Sequence, residues 1–425
     1  MVSALGAATV VGAQSAPPAA ALDVRMAPLG QPLEVLLPQY RLGSFTHFAQ
    51  IVPARIVPRG GAVLELPRAQ RDLSTVRYRW RDASASLDDY VRRHKVMAFV
   101  VLKDGAIVAE SYLYGTNDST PFVSWSVAKS VVGTLTGVAL ADGAIPSIDA
   151  PAQRFVPELA ESGYGTNSLR DLLQMSSGVK FIEDYSGAAS LEAKAWVEGN
   201  VTRTVRYTDT IAWFKERIHP AGTRFYYASM EPVVVGWVLH RATGASLSEY
   251  LSDKIWSRLG AEHDASWMVD RPGGLEIGSC CISATMRDYA RFGLLVQHGG
   301  KVGSRQLVPK AWVEAMTQPD PTRPHLHPGK LEGKPEFGYQ HYWWLYPAAD
   351  RAAMARGAFG QAITVDFDDR VVIVQTAMWD QADAVDNWLE TAALHRAIAA
   401  HLRTAAEAPK PRGKRRVAAL SGAVR

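Results

Sequence analysis

The chain has 425 residues, 47% hydrophobic and 21% charged, a composition that lets one large domain, or two sharing an interface, bury a full core without staples. Lys and Arg (46) barely outnumber Asp and Glu (42), and a net charge of +4 does not point to nucleic acid as a partner. No run of about eighteen apolar residues occurs, so the sequence offers no transmembrane segment.

Residues 1–22, "MVSALGAATVVGAQSAPPAAAL", read as a signal-like leader. An apolar stretch precedes small residues around Ala13–Ala16 that resemble a cleavage site, but the basic n-region is missing. Two readings stay open: an export signal, giving a periplasmic or secreted protein, or an Ala-rich leader on a cytoplasmic one. Residues 23–81 are Pro-rich and irregular, and read as an arm wrapping the main body. The main domain is expected over 82–403.

That domain opens with two apolar runs flanking Lys103-Asp104-Gly105, and Asp-Gly between β-rich segments signals a tight hairpin. A second hairpin is expected near the other end, in "GQAITVDFDDRVVIVQTAMW", turning at Asp368-Asp369. Between them the pattern is mostly helical: about Ser126 to Ala141, Ser168–Met175, Ile211–Ile218, Pro232–Thr243, Leu247–Leu259 and Ala284–His298. Strands at both ends and helices between predict an α+β fold: one antiparallel sheet from both parts of the chain, flanked by helices, plus a mostly helical lobe. The junction is where a pocket is expected. The basic segment 404–425 reads as a disordered tail, with a tether to an anionic surface as the alternative.

The only cysteines, Cys280 and Cys281, are adjacent. Neighbours rarely meet disulfide geometry, so no disulfide is expected. His325–His327 sit in a Pro-rich loop without a spaced third ligand, and no metal or other cofactor is expected.

The stretch "PFVSWSVAKSVVGTLTGVALADG" carries the sharpest chemistry. Its helix is apolar on most sides, hence buried, yet has a lysine in its first turn. Desolvation lowers a lysine pKa, and three-residue spacing puts Ser126 and Lys129 on one face. A neutral amine there can take the serine proton. The plainer reading is an N-cap serine beside a snorkelling lysine. Further on, "HPAGTRFYYASMEPVVVGWVLHRATG" brings Tyr227 to a loop tip ahead of a helix, where its hydroxyl can relay protons; core packing of Tyr226 and Tyr227 is the alternative.

These segments together resemble the serine β-lactamase/penicillin-binding-protein superfamily, on the class C-like branch that includes esterases and 6-aminohexanoate-dimer hydrolases. "SWSVAKS" is similar to its Ser-x-x-Lys motif, "PAGTRFYYAS" to the approach to its tyrosine motif, and "CISATMRDYARFGLLVQHGG" to its Ala-Thr-x-Arg-Asp helix. "ARGAFGQAITVDFDDRVVIVQT" resembles the third-motif strand and following hairpin. The resemblance implies Ser126 as nucleophile, Lys129 as base, Tyr227 as proton shuttle, and an oxyanion hole from the backbone N–H groups of Ser126 and Ala358. It implies substrate contacts from Ser229, Gly357 and Arg356, although adjacent strand residues such as Arg356 and Gly357 face opposite ways. Asp184 and Tyr185 fall at the pocket lip, where an acid suits a cationic amine; Cys281 lines the pocket or is a small buried residue. The third motif, Ala355-Arg356-Gly357, lacks the lysine and threonine that hold a β-lactam carboxylate. The expected activity is a serine hydrolase acting on a small-molecule ester or amide through an acyl-enzyme. β-Lactamase or D-alanyl peptidase action and a non-catalytic sensor are the alternatives, and a homodimer is possible.

Overall fold

The computed structural model describes residues 22–183, 190–334, 336–347 and 350–407, with side chains as far as Arg403. The leader up to Ala21, the tail from Ala408, and the lip residues Asp184 and Tyr185 lie outside the described residues.

Seven strands form the main sheet: β1 (Val96–Lys103), β2 (Ala106–Tyr112), β3 (Gly338–Gln340), β4 (Trp343–Leu345), β5 (Ala352–Gly357), β6 (Gln361–Asp366) and β7 (Val371–Ala377). They are antiparallel in the order β3-β4-β5-β6-β7-β1-β2, so β7 pairs with β1 and closes one sheet from both parts of the chain. This is the α+β architecture expected from the two hairpins. Lys103 faces Ala106 across a two-residue loop in which Asp104 and Gly105 both have positive φ (52° and 80°), the backbone an Asp-Gly hairpin turn requires. The later hairpin joins Asp366 to Val371 through a longer loop, where the Asp366 carboxylate accepts the Asp369 N–H (2.7 Å).

Of the four principal helices, α1 (Val127–Ala141), α3 (Met286–Gln297) and α4 (Val385–Glu407) pack against the sheet, whereas α2 (Met230–Thr243) packs on α1 and on the shorter helices beside it. Successive strand residues show the two faces. Thr364 bonds His395 of α4 (2.9 Å), whereas its neighbour Ile363, with Val372, lies against Gly293 of α3. A side chain at Gly293 would collide with both, so glycine sets how closely this helix approaches the sheet. The same holds in α1, buried from Val127 to Ala139: Gly133 and Gly137 admit the His341 carbonyl and the Trp312 ring, and Trp312 Nε1 donates to Gly133 O (2.9 Å).

Thr285 caps α3 by accepting the Asp288 N–H. Leu247–Leu259 runs helical throughout, with a wider π turn at Ser252–Trp256. The expected helix at Ile211–Ile218 is not formed. A 3-10 segment ends at Trp213, and the chain then extends to bond residues 178–180, with Lys180 N donating to Glu216 O and Ile218 N to Gly178 O (2.8 Å each). Pro220 follows closely, and long-range pairing overrides the local pattern.

A second, antiparallel sheet has the strands Ala54–Val57, Ala265–Met268, Ile282–Ala284 and Phe122–Val123 side by side in that order. It binds the N-terminal segment to the body and leads directly into residue 124. Among the described residues no helix is long and apolar enough to cross a membrane, and no cluster of three or more His, Cys, Asp and Glu is set to hold a metal.

Candidate active site

The segment 122–126 leaves its short strand and enters α1 through a tight turn. Trp125 takes positive φ (44°), which a bulky residue adopts only when its surroundings enforce it. Here the enforcement comes from residues 281–282. Cys281 N donates to Trp125 O (3.2 Å), Ser124 N to Ile282 O (2.7 Å), and Ile282 N to Ser124 Oγ (3.0 Å). Phe45, Phe48 and Phe359 pack on the Trp125 ring. The turn presents Ser126 at the N-cap of α1, at the edge of a cavity of about 250 Å³.

One helical turn on, Lys129 Nζ donates to Ser126 Oγ (2.7 Å) and to Ser279 O (3.0 Å). Lys129 is only 2% exposed. Burial pushes its pKa down to about 8, opposed by the charge of Glu183. Its ammonium lies 5.0 Å from the centre of the Tyr227 ring, which stacks on Trp344. Burial, then the negative charge of Glu183, raise the Tyr227 pKa, while hydrogen bonding to Ser126 opposes the rise. Ser229, at the N-cap of α2, donates its N–H (2.9 Å) and hydroxyl (2.6 Å) to the Glu183 carboxylate.

The end of β5 closes the site from the other side. A Cβ at Gly357 would strike Ser124 O and come within 3.1 Å of Ser126 N, so only glycine allows the strand this near. Ala358 follows, lining the cavity. The N–H groups of Ser126 and Ala358 make no hydrogen bond to a described group. Such amides near a nucleophilic oxygen suit a developing oxyanion.

Ser126, Lys129, Tyr227, Ser229, Gly357 and Ala358 are therefore brought together; two other expected contacts are not. Arg356 points away from the cavity, as alternation along β5 requires. It is buried over the Trp344 and Trp388 rings (4.1 and 4.0 Å to their centres) and pairs with Asp383 (3.2 Å). Cys281 is also turned inward, 1% exposed, and its neighbour Cys280 lines the cavity instead. The expectation that adjacent cysteines stay unpaired is overturned: Cys280 and Cys281 form a disulfide. Cys281 has φ of 77°, a rare left-handed backbone for a non-glycine residue, and with it the two sulfurs meet across one peptide.

Sequence reasoning missed several wall residues. Pro32, Leu33, Val35 and Leu36 from the N-terminal segment line the cavity, as do Trp196 and Asn200. Glu183, one residue before the expected Asp184, lines the cavity; Asp184 itself lies outside the described residues. The stretch "FIEDY" offers both acids, and nothing local distinguishes them. Lys129 is the sole cationic side chain on the wall among the described residues, against Glu183 and Glu192.

The family model "Beta-lactamase" matches residues 85–395, a span that contains Ser126, Lys129, Tyr227, Gly357 and Ala358. The chain belongs to the β-lactamase family. Within it, the chain is 31% identical over 291 residues to a 6-aminohexanoate-dimer hydrolase from Paenarthrobacter ureafaciens, covering 67% of this chain and 73% of the relative. A solved structure from Bacillus anthracis, provisionally assigned as a 6-aminohexanoate-dimer hydrolase, superposes with a TM-score of 0.78 at 23% identity, over 92% of this chain and 99% of the other. EstCE1, described as a hydrolase with promiscuous acyltransferase activity, shares the fold at a TM-score of 0.59 and 13% identity, over 73% and 96% of the two chains. A structure described as a family VIII carboxylesterase also shares the fold, at a TM-score of 0.52 and 15% identity, over 71% of this chain and 92% of the other.

Proposed function

We propose that the protein is a serine hydrolase that cleaves esters or amides of small substrates through an acyl-enzyme on Ser126. The observation that carries this reading is the 2.7 Å contact between Ser126 Oγ and the amine of a fully desolvated Lys129. Neutral Lys129 takes the serine proton as Oγ attacks the carbonyl. The Ser126 and Ala358 N–H groups hold the resulting oxyanion. Tyr227 passes a proton to the departing alcohol or amine, and water then releases the acyl group.

The wall narrows the substrate. It is mostly apolar, with two carboxylates and one lysine, so it favours neutral or cationic molecules over anionic ones. A carboxylesterase acting on short acyl groups fits, and so does an amidase for an ω-amino-acid amide, whose ammonium end suits Glu183. The 6-aminohexanoate-dimer hydrolase relative supports the second. β-Lactam turnover is disfavoured, because Arg356, the one cation within the third motif, is held by Asp383 away from the cavity.

Rates on p-nitrophenyl esters, 6-aminohexanoate dimer and nitrocefin, measured for wild type and Ser126→Ala, test this reading. Hydrolysis of the ester or the dimer that disappears in Ser126→Ala is expected. Nitrocefin as the best substrate by a wide margin would overturn the substrate ranking. Hydrolysis that survives in Ser126→Ala would overturn the mechanism.

A further inference from the structure

The Cys280–Cys281 disulfide is not needed for the acylation chemistry, yet the backbone on either side of it holds both members of the Ser126–Lys129 pair. On one side, the Ser279 carbonyl accepts from Lys129 Nζ (3.0 Å), fixing the amine that faces Ser126 Oγ. On the other, the Cys281 N–H donates to Trp125 O (3.2 Å), and this bond belongs to the set that enforces positive φ at Trp125 immediately before the nucleophile. The disulfide's own peptide is anchored outward as well. Trp267 Nε1 donates to Cys280 O (3.0 Å), and Met268 N to Cys281 O (3.1 Å). A bond between the sulfurs of adjacent residues closes a ring that contains their shared peptide. It therefore restricts rotation at the point where Cys281 must hold φ of 77°.

We infer that the Cys280–Cys281 disulfide is a positioning element for acylation of Ser126, and that its reduction by a small dithiol slows that acylation reversibly. This inference rests on the serine-hydrolase reading above. In the step, a dithiol thiolate attacks one sulfur of the pair, breaking the Cys–Cys bond and forming a mixed disulfide. The second thiol of the reagent then displaces the remaining cysteine. Two cysteine thiols and one oxidised cyclic reagent result, and two electrons pass from reagent to protein. Cys280 lines the cavity at 9% exposure, so the route to the sulfurs runs through the substrate site. Once the ring is open, nothing covalent opposes the return of Cys281 to negative φ. That rotation swings its N–H off Trp125 O and loosens the segment carrying the Ser279 carbonyl. The effect reaches the chemistry through Lys129 and Ser126 and needs no contact between sulfur and substrate. Misplacement on the order of 1 Å can cost about 100-fold in rate.

The test uses the full chain purified without reductant. Thiols per chain are counted by alkylation and intact mass before and after dithiothreitol, and again after reoxidation. In each state the rate of inactivation by a fluorophosphonate is followed across pH. Expected are no alkylation before reduction, two alkylated thiols after it, and a fall in inactivation rate of at least about tenfold. The midpoint of the pH profile should also move, and rate and midpoint should both return on reoxidation. A purely structural disulfide would change stability without moving that midpoint. A Cys280→Ser/Cys281→Ser variant should resemble the reduced protein and ignore dithiothreitol. If that variant does not fold, the oxidation cycle on wild type decides alone.

The inference is overturned if the untreated protein already shows free thiols. It also fails if dithiothreitol yields thiols only in denaturant, or if reduced and oxidised proteins inactivate at the same rate with the same midpoint. Failure of the serine-hydrolase reading looks different: the oxidised protein would form no adduct on Ser126 at all.

Discussion

Replacing Glu183 with glutamine tests how the site keeps a lysine ready as a base. Lys129 sits near pKa 8 because burial depresses it from 10.5, and Glu183 is the charge opposing that depression. At pH 7 an amine with a pKa near 8 is neutral about one time in ten, against about one in 3,000 for a solvated lysine. Desolvation thus raises the basic form by about 300-fold, an advantage partly offset because a less basic amine accepts a proton less readily. Acylation should therefore climb about tenfold from pH 6 to pH 7 and level off above pH 8. Removing the Glu183 charge takes away an attraction that favours the ammonium, so the midpoint in Glu183→Gln should move to lower pH. The assay is pseudo-first-order inactivation by a fluorophosphonate between pH 6 and 10. That reagent reads Ser126 chemistry without an ammonium for Glu183 to bind. A wild-type midpoint near 10 would refute the desolvated-base argument, and so would a midpoint that rises in Glu183→Gln.

The same burial has a stability consequence. Lys129 binds its proton less tightly folded than unfolded, so the native state is disfavoured below pH 8 and recovers as pH rises from about 8 to 10.5. That interval corresponds to about 3 kcal/mol, so Lys129→Met should unfold at clearly higher temperature than wild type at pH 7, with a smaller gain near pH 10, while losing activity. Asn200 is 1% exposed, and its side-chain amide has no hydrogen-bond partner among the described residues. Asn200→Leu should leave stability unchanged or raise it by about 1 kcal/mol in denaturant titrations, whereas an asparagine serving a structural bond would cost about that much. Gly357→Val should nearly abolish acylation, because its Cβ falls on Ser124 O beside Ser126 N; wild-type labelling rates in a folded Gly357→Val protein would place the oxyanion amides elsewhere.

Local signals read correctly wherever local physics decides the outcome. Asp104-Gly105 demanded a two-residue turn and formed one, and the run after Ser126, apolar on most sides with Lys129 its one charge before Asp142, demanded a buried helix. The close pairing of Ser126 and Lys129 followed from helical spacing alone. What stayed hidden depends on partners far along the chain. Residues 214–219 extend because residues 178–180 offer backbone partners, which no window around Trp213 contains. Arg356 turns from the site toward Asp383, Trp344 and Trp388. The disulfide stayed hidden because general geometry argues against adjacent cysteines, and the positive φ at Cys281 that lets the sulfurs meet is held by the ring together with hydrogen bonds to the distant Trp125 and to Met268, which no local pattern shows. The wall from Pro32 to Leu36 lies in a segment whose pattern gave no hint that it reaches the cavity.

The intact mass of the protein after a fluorophosphonate probe, with wild type, Ser126→Ala and Lys129→Ala treated in parallel, bears on the acyl-enzyme more directly than any other measurement. A nucleophile activated by Lys129 gives one adduct on wild type, none on Ser126→Ala and slow labelling of Lys129→Ala. An unlabelled wild type, or equal labelling of Ser126→Ala, would contradict a serine acyl-enzyme at this site.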